Sequence, residues 1–344
     1  MKLNITRMMA IVGAVLIMAV TARDAPVETP AHVRKFHFTY NVTVKGLSPE
    51  DHQVRIWIPV AQSDSNQQVT LKNISSLVPT HMSRDPEYHN QILYADIRNP
   101  KEATATITLE YLVARKEYSK GSYEDLMRYN GETQKIPEEV NRFLQPDRLV
   151  PIDGKMRELA EANTQGKQGT VEKAHALYDY VFKTLRYDKS GTGWGRGDSL
   201  WACDAKHGNC TDFHSLFISM MRAENIPARF EIGFPLPANS NQGDIAGYHC
   251  WAEYYVTGTG WVPVDISEAW KDPAKHDFFF GSLDSNRVQF TIGRDLELAP
   301  RQDGPPLNYF VYPYVEVDGK PYDALEKKFA FREDTDPGST VGGK

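Results

Sequence analysis

Cys210, His249 and Asp265 supply, in chain order, a thiol, an imidazole and a carboxylate. Together these groups can run acyl transfer. A thiolate attacks a carbonyl, an imidazole moves the proton, and a carboxylate holds the imidazole in one tautomer. The surroundings of Cys210 favour the reactive form. Between Lys206 and Arg222 the apolar residues Phe213, Leu216, Phe217, Met220 and Met221 recur at helical spacing, which predicts a helix starting near Cys210. Asn209 is its expected N-cap and Asn225 its expected left-handed end, and Pro227 forbids continuation. A cysteine in the first turn sits among unpaired N–H groups at the positive end of the helix dipole. That setting lowers a thiol pKa from about 8.5 to roughly 3.5–7.5 and offers donors to a tetrahedral oxyanion. A lone helical cysteine is otherwise an inert core residue, so the case rests on its partners downstream.

Those partners lie on an expected β-hairpin. The segment from Tyr248 to Ile266 reads as two strands around a turn at Thr257 to Gly260, with His249 on the first and Asp265 on the second. Side chains alternate faces along a strand, so parity decides whether the two can meet. A two-residue loop at Gly258 and Thr259 sets Val256 opposite Trp261 and turns Asp265 away from His249. A loop of odd length, or one bulge, sets His249 near Ser267 and makes Asp265 its same-face diagonal neighbour. An odd loop or a bulge is therefore expected. Glu253 shares the face of His249 and is the competing carboxylate; Asp265 is preferred.

These stretches resemble the transglutaminase-like superfamily, whose fold is related to that of the papain-like cysteine proteases. The residues that carry the resemblance are Gly208 to Asp212 opening a helix, Ile226 to Arg229 after it, His249 to Glu253, and Gly260 to Asp265. The similarity covers about residues 170 to 270. It implies Cys210 as nucleophile, His249 as base and Asp265 as orienter, with a thioester intermediate on amide bonds of a peptide or protein substrate. Hydrolysis is expected ahead of cross-linking. The alternative is a catalytically silent binding module on the same fold. Two positions depart from the family pattern: Cys250 stands where Ala is usual, and Asn225 where Gly is usual.

Other residues need roles. Trp194, Trp201 and Tyr187 are candidates for the second oxyanion donor. Cys250 is expected to face away from His249. A Cys203–Cys250 disulfide would then pin the approach loop and leave Cys210 free. A zinc site built from Cys203, His207, Cys210, His249 and Cys250 has irregular spacing and awkward adjacent ligands, so neither metal nor cofactor is expected. His214, one helical turn beyond Cys210, either tunes the thiolate or makes a polar contact under the loop. Asp212 is a dipole partner or a loop anchor. The loop from Ser190 to Asp198 holds four glycines but no phosphate-binding Lys-Ser/Thr, and is expected to be mobile beside a site. Arg287 and Arg294 could meet a substrate carboxylate, with surface ion pairs as the plainer role.

The elements that must position this chemistry follow from patterning. Phe36 to Val44, Val54 to Ile58, Ile92 to Ile97 and Ala103 to Val113 alternate with period two, which predicts an antiparallel β-sandwich over residues 34–115. Residues 137–187 are helical in pattern, with Thr170 a plausible N-cap for the stripe Val171, Ala174, Leu177, Tyr178, Val181, Phe182 and Leu185. A transglutaminase-like α+β domain over 116–330 and a flexible tail over 331–344 complete the expected organisation. At the start, Lys2 and Arg7, the apolar run Met8 to Val20 and the small residues before Arg23 have the layout of a signal peptide over 1–22, followed by a linker over 23–33. An uncleaved N-terminal anchor is the alternative. Export to the periplasm or the extracellular space is expected, with no stable membrane insertion after cleavage. The formal net charge of −6 over 344 residues argues against a nucleic-acid partner.

Overall fold

Alternation becomes strand in the first third of the chain. The computed structural model describes residues 32–131 and 135–335. The expected signal peptide lies outside them, as do residues 23–31 of the linker and 336–344 of the tail. Strand β1 (Val33–Lys45) buries Phe36, Phe38, Tyr40, Val42 and Val44 on one face. β2 (Gln53–Val60), β5 (Gln91–Arg98) and β6 (Thr104–Lys116) follow the same logic. Between β2 and β5 lie β3 (Gln67–Ser76) and β4 (Thr80–Arg84), which alternation did not announce. Both end a sheet, where a half-exposed face needs no regular apolar pattern.

Two five-stranded antiparallel sheets result, and residues 34–115 do not build them alone. In the first sheet β12 (Leu325–Glu333) pairs with β1, with Tyr40 opposite Phe329. In the second, β11 (Tyr314–Val317) pairs with β2, with Val315 opposite Ile56. This corrects the expected boundaries. The sandwich closes with C-terminal strands, residues 331–333 are strand rather than tail, and the α+β part is an insertion between the two halves. An unpaired edge on β1 or β2 would leave a row of N–H and C=O groups open, and the returning strands satisfy them.

The inserted part centres on one helix. After α1 (Lys155–Thr164), α2 (Gly169–Thr184) and α3 (Ser199–Ala205) comes α4 (Cys210–Ala223), every residue of which is buried. Thr170 does not cap α2. Asn130, distant in sequence, does so by accepting the N–H groups of Val171 and Glu172 at 2.8 and 3.0 Å. α4 packs on an antiparallel sheet of β7 (Ala228–Pro235), β8 (His249–Val256), β9 (Gly260–Val264) and β10 (Arg287–Ile292), in the order β9-β8-β7-β10. Gly233 on β7 permits close approach of β10, because a Cβ there would lie 1.9 Å from the Val288 carbonyl. Phe234 of β7 and Phe290 of β10 reach into the sandwich core against Phe38, with ring centroids 5.3 and 5.5 Å away. Sandwich and insertion therefore share one apolar core.

α4 carries polar residues all round, and each is tied to a neighbouring element. Arg222 donates to the Gln145 and Ala228 carbonyls and to Asp147. Ser215 receives Arg294 at 2.5 Å. Buried polar groups are tolerated when satisfied in this way, so the helix is located by directional bonds as well as by its apolar residues.

Candidate active site

The start of α4 is built by local chemistry. Asn209 is extended, at φ −104° and ψ −169°, and its side chain accepts the Thr211 N–H at 2.9 Å. Asp212 reaches back to the Asn209 N–H at 2.9 Å, completing a capping box. The same Asp212 carboxylate accepts the N–H groups of Gly195 and Gly197 at 2.7 and 3.0 Å. Arg294, buried, holds the Gly197 and Arg196 carbonyls at 2.8 and 3.0 Å. The glycine-rich loop expected to be mobile is thus tied to the helix start by Asp212 and to β10's flank by Arg294. Among the described residues the Cys210 N–H itself has no hydrogen-bond partner.

The hairpin has a loop of odd length. Val256 pairs with Gly260 and Ala252 with Val264, leaving three residues, 257 to 259, in the turn. That register extrapolates to His249 opposite Ser267. The strand ends at Val264, and Asp265 is the N-cap of α5 (Ile266–Lys271), its side chain accepting the Glu268 N–H. His249 Nε2 lies 2.7 Å from Asp265 Oδ2. With Nε2 so engaged, Nδ1 is the nitrogen left for Cys210, whose thiol and the His249 ring each shift the other's titration. The structure brings Cys210, His249 and Asp265 together, 1%, 4% and 0% exposed. Glu253 is engaged elsewhere, by Arg229 at 2.9 Å.

Charge follows the geometry. Burial pushes the Cys210 thiol up, but its neighbours Cys250 and His249 and the charge of the imidazolium outweigh it and hold the thiol well below its ordinary range. Burial pulls His249 down, yet Asp265 and Cys210 together raise it to about 10. Burial also opposes the Asp265 carboxylate, but His249 and Arg287 hold it well below the usual carboxylate range. These directions describe a thiolate–imidazolium pair beside a fixed carboxylate. In a dry site such a pair interacts far more strongly than in water.

The neighbours differ from expectation in several places. All three cysteines are free thiols, so the Cys203–Cys250 disulfide is absent. Cys250 turns instead towards the first turn of α4, with its sulfur 3.9 Å from both Thr211 Oγ1 and His214 Nδ1. Cys203 is buried in α3. Arg287 and Arg294 are not surface residues; they are 2% and 1% exposed. Arg287 donates to Asp265 Oδ2 at 2.8 Å. His214 joins the helix to the strand end: Nδ1 donates to the Cys210 carbonyl at 2.8 Å, and Nε2 accepts the Ile266 N–H at 3.0 Å. Burial, first of all, lowers its pKa to about 4, so it is neutral.

Of the three oxyanion candidates, Tyr187 lies on the short strand Arg186–Tyr187 and its hydroxyl is pushed up by burial and then by the charge of Cys210. Trp201 packs against Gly193 and His207, and Trp194 lies under the Lys189 ammonium. Tyr248 was not singled out from sequence. Its hydroxyl meets Asn209 Nδ2 at 3.0 Å and Thr211 Oγ1 at 2.8 Å, on both sides of Cys210. A tyrosine directly before the histidine was the only local signal for it. Among the described residues no group of three or more His, Cys, Asp or Glu is arranged to hold a metal ion. None of the described helices is long and apolar enough to cross a membrane.

Residues 157–266 match the model of the transglutaminase-like superfamily. An uncharacterised protein of Haemophilus influenzae is 26% identical over 335 residues, which span 87% of this chain and 90% of the relative. YebA of Bacillus subtilis, also uncharacterised, is 25% identical over 150 residues, 39% of this chain and 20% of YebA. A crystal structure from Cytophaga hutchinsonii, of a protein provisionally described as a cysteine protease, superposes with a TM-score of 0.60 at 17% identity, covering 91% of this chain and 95% of that one. The likeness is one of fold, and it takes in the sandwich together with the inserted core.

Proposed function

We propose, from the premise that this chain belongs to the transglutaminase-like superfamily through residues 157–266, that it is an exported thiol-dependent enzyme acting on amide bonds of peptides or proteins. The observation that carries the reading is the 2.7 Å bond from His249 to Asp265, with Cys210 the first residue of a capped helix.

The Cys210 thiolate attacks the carbonyl carbon, and the electron pair of the C=O bond moves to oxygen. The unpartnered Cys210 N–H is one donor for that oxyanion, and Tyr187, whose hydroxyl feels the charge of Cys210, is the side-chain candidate for a second. His249 passes its proton to the leaving nitrogen as the C–N bond breaks, and a thioester remains on Cys210. His249 then takes a proton from water, which attacks the thioester and releases the acid. An amine in place of that water gives acyl transfer. Asp265 keeps the ring in one tautomer throughout. Because Cys210 is 1% exposed, productive binding requires local opening around it. The enclosed site supports water-poor acylation. Location in the periplasm or the extracellular space is part of the proposal, carried by the N-terminal pattern.

The test is alkylation by iodoacetamide at mildly acidic pH, read by mass spectrometry, with His249→Ala beside the native sequence. Selective labelling of Cys210 that depends on His249 is the expected result. Equal and sluggish labelling of both proteins would favour the silent binding module.

A further inference from the structure

Asp265 Oδ2 serves two donors. His249 Nε2 lies 2.7 Å away and Arg287 Nη1 2.8 Å away, while Oδ1 accepts from the Ser267 hydroxyl and the Glu268 N–H, each at 3.1 Å. Arg287 is 2% exposed and held on every side. Its Nε and Nη2 lie 3.4 and 3.3 Å from Asp284 Oδ1, and its guanidinium sits 5.0 Å from the Trp251 ring centroid. Trp251 is fixed in turn by its bond to Glu231 at 2.8 Å. A permanent cation has therefore been buried against the one oxygen that also holds the imidazole.

An aspartate that only oriented His249 would not need this. A full negative charge in a dry site strengthens the grip on the imidazolium proton, and that proton must later leave for the departing nitrogen. A guanidinium on the same oxygen shares its lone pairs and offsets its charge. We propose that Arg287 is a positioning residue, which fixes Asp265 and weakens its hold on the His249 proton so that the proton can be delivered to the leaving group.

The other charged and titratable groups around the pair do not do this. Cys210 and His214 face it from α4; the first is the negative partner and the second is neutral. Glu268 from α5 lies 3.9 Å from His249 Nε2 and is itself paired with Lys271 at 2.6 Å. Asp284 is the counter-ion of Arg287. Cys250 from β8, Tyr178 from α2 and Tyr187 stay protonated, each raised first by burial. Arg287 is the cation on the triad carboxylate among the described residues.

The inference rests on the thiolate–imidazolium reading, so the experiment separates the two. Cys210 is alkylated with iodoacetate and with iodoacetamide from pH 6 to 11 in the full chain. The anionic reagent is favoured only while His249 is protonated, so the pH at which the rate ratio falls reports the loss of that proton. Arg287→Gln keeps one hydrogen-bond donor and removes the charge; its midpoint should rise by about one pH unit, a tenfold change in proton affinity. Arg287→Lys keeps the charge and should stay near the native midpoint. If Arg287→Gln fails to fold by circular dichroism, Asp284→Asn replaces it. By freeing Arg287 from its counter-ion, that variant should move the midpoint down. A folded Arg287→Gln protein with an unmoved midpoint, or Asp284→Asn with an unmoved or raised one, overturns the inference while leaving the native thiolate in place. A native protein showing no His249-dependent fall in the ratio overturns the underlying reading instead.

Discussion

Replacing Asp212 with alanine takes one carboxylate from the interior and leaves three backbone N–H groups, those of Gly195, Gly197 and Asn209, without their acceptor. Each charge-assisted bond is worth about 1.5–3 kcal/mol net, and each stranded buried donor costs about 1–3 kcal/mol; the two figures describe overlapping losses and are not summed. A counterweight exists. Asp212 is fully buried, and burial pushes its carboxyl above the ordinary range in spite of the three N–H donors. Removing it therefore also removes a desolvation cost. The balance is an expected loss of about 2–4 kcal/mol, at the high end for a single substitution. It should be concentrated where the loop meets the helix. Urea denaturation gives the total, and amide hydrogen exchange over residues 193–198 locates it. A loss under about 1 kcal/mol, with Gly195 and Gly197 as protected as before, would refute the claim that this carboxylate anchors the loop.

Two further outcomes are expected. His214 is neutral in the fold with a pKa near 4, below the ordinary histidine value, so its contribution to stability is complete above about pH 6.5 and is lost as pH falls towards 4. Unfolding free energies from urea denaturation across that window should decline by up to about 3 kcal/mol in the native protein and less in His214→Gln; identical slopes would remove His214 as the cause. Thiol titration under denaturing, non-reducing conditions should find three thiols, whereas a single thiol would restore the Cys203–Cys250 pair.

How much of this was legible depends on the range of the forces involved. The start of α4 could be read because an N-cap and a capping box involve residues three apart, here Asn209 and Asp212. Its end could be read because Asn225 adopts the left-handed conformation, at φ 58°, two residues before Pro227. The hairpin register was legible as a condition: parity required an odd turn if His249 and Asp265 were to meet, and the turn has three residues. The cap of α2 was missed because its acceptor, Asn130, arrives from another segment. The disulfide was misjudged because strand alternation says which side Cys250 is on but not what packs there.

By itself, then, the sequence determined the local devices: a cysteine heading a capped helix, a hairpin of the right parity, and alternating strands around them. These are short-range effects of dihedral preference, capping and periodicity. Only the tertiary structure decided that β11 and β12 return to close the sandwich, that Arg287 shares the oxygen holding His249, and that Cys250 packs on Thr211 and His214. Such pairings join residues far apart in the chain. They are selected by the need to satisfy buried charges and open strand edges, which no window of sequence displays.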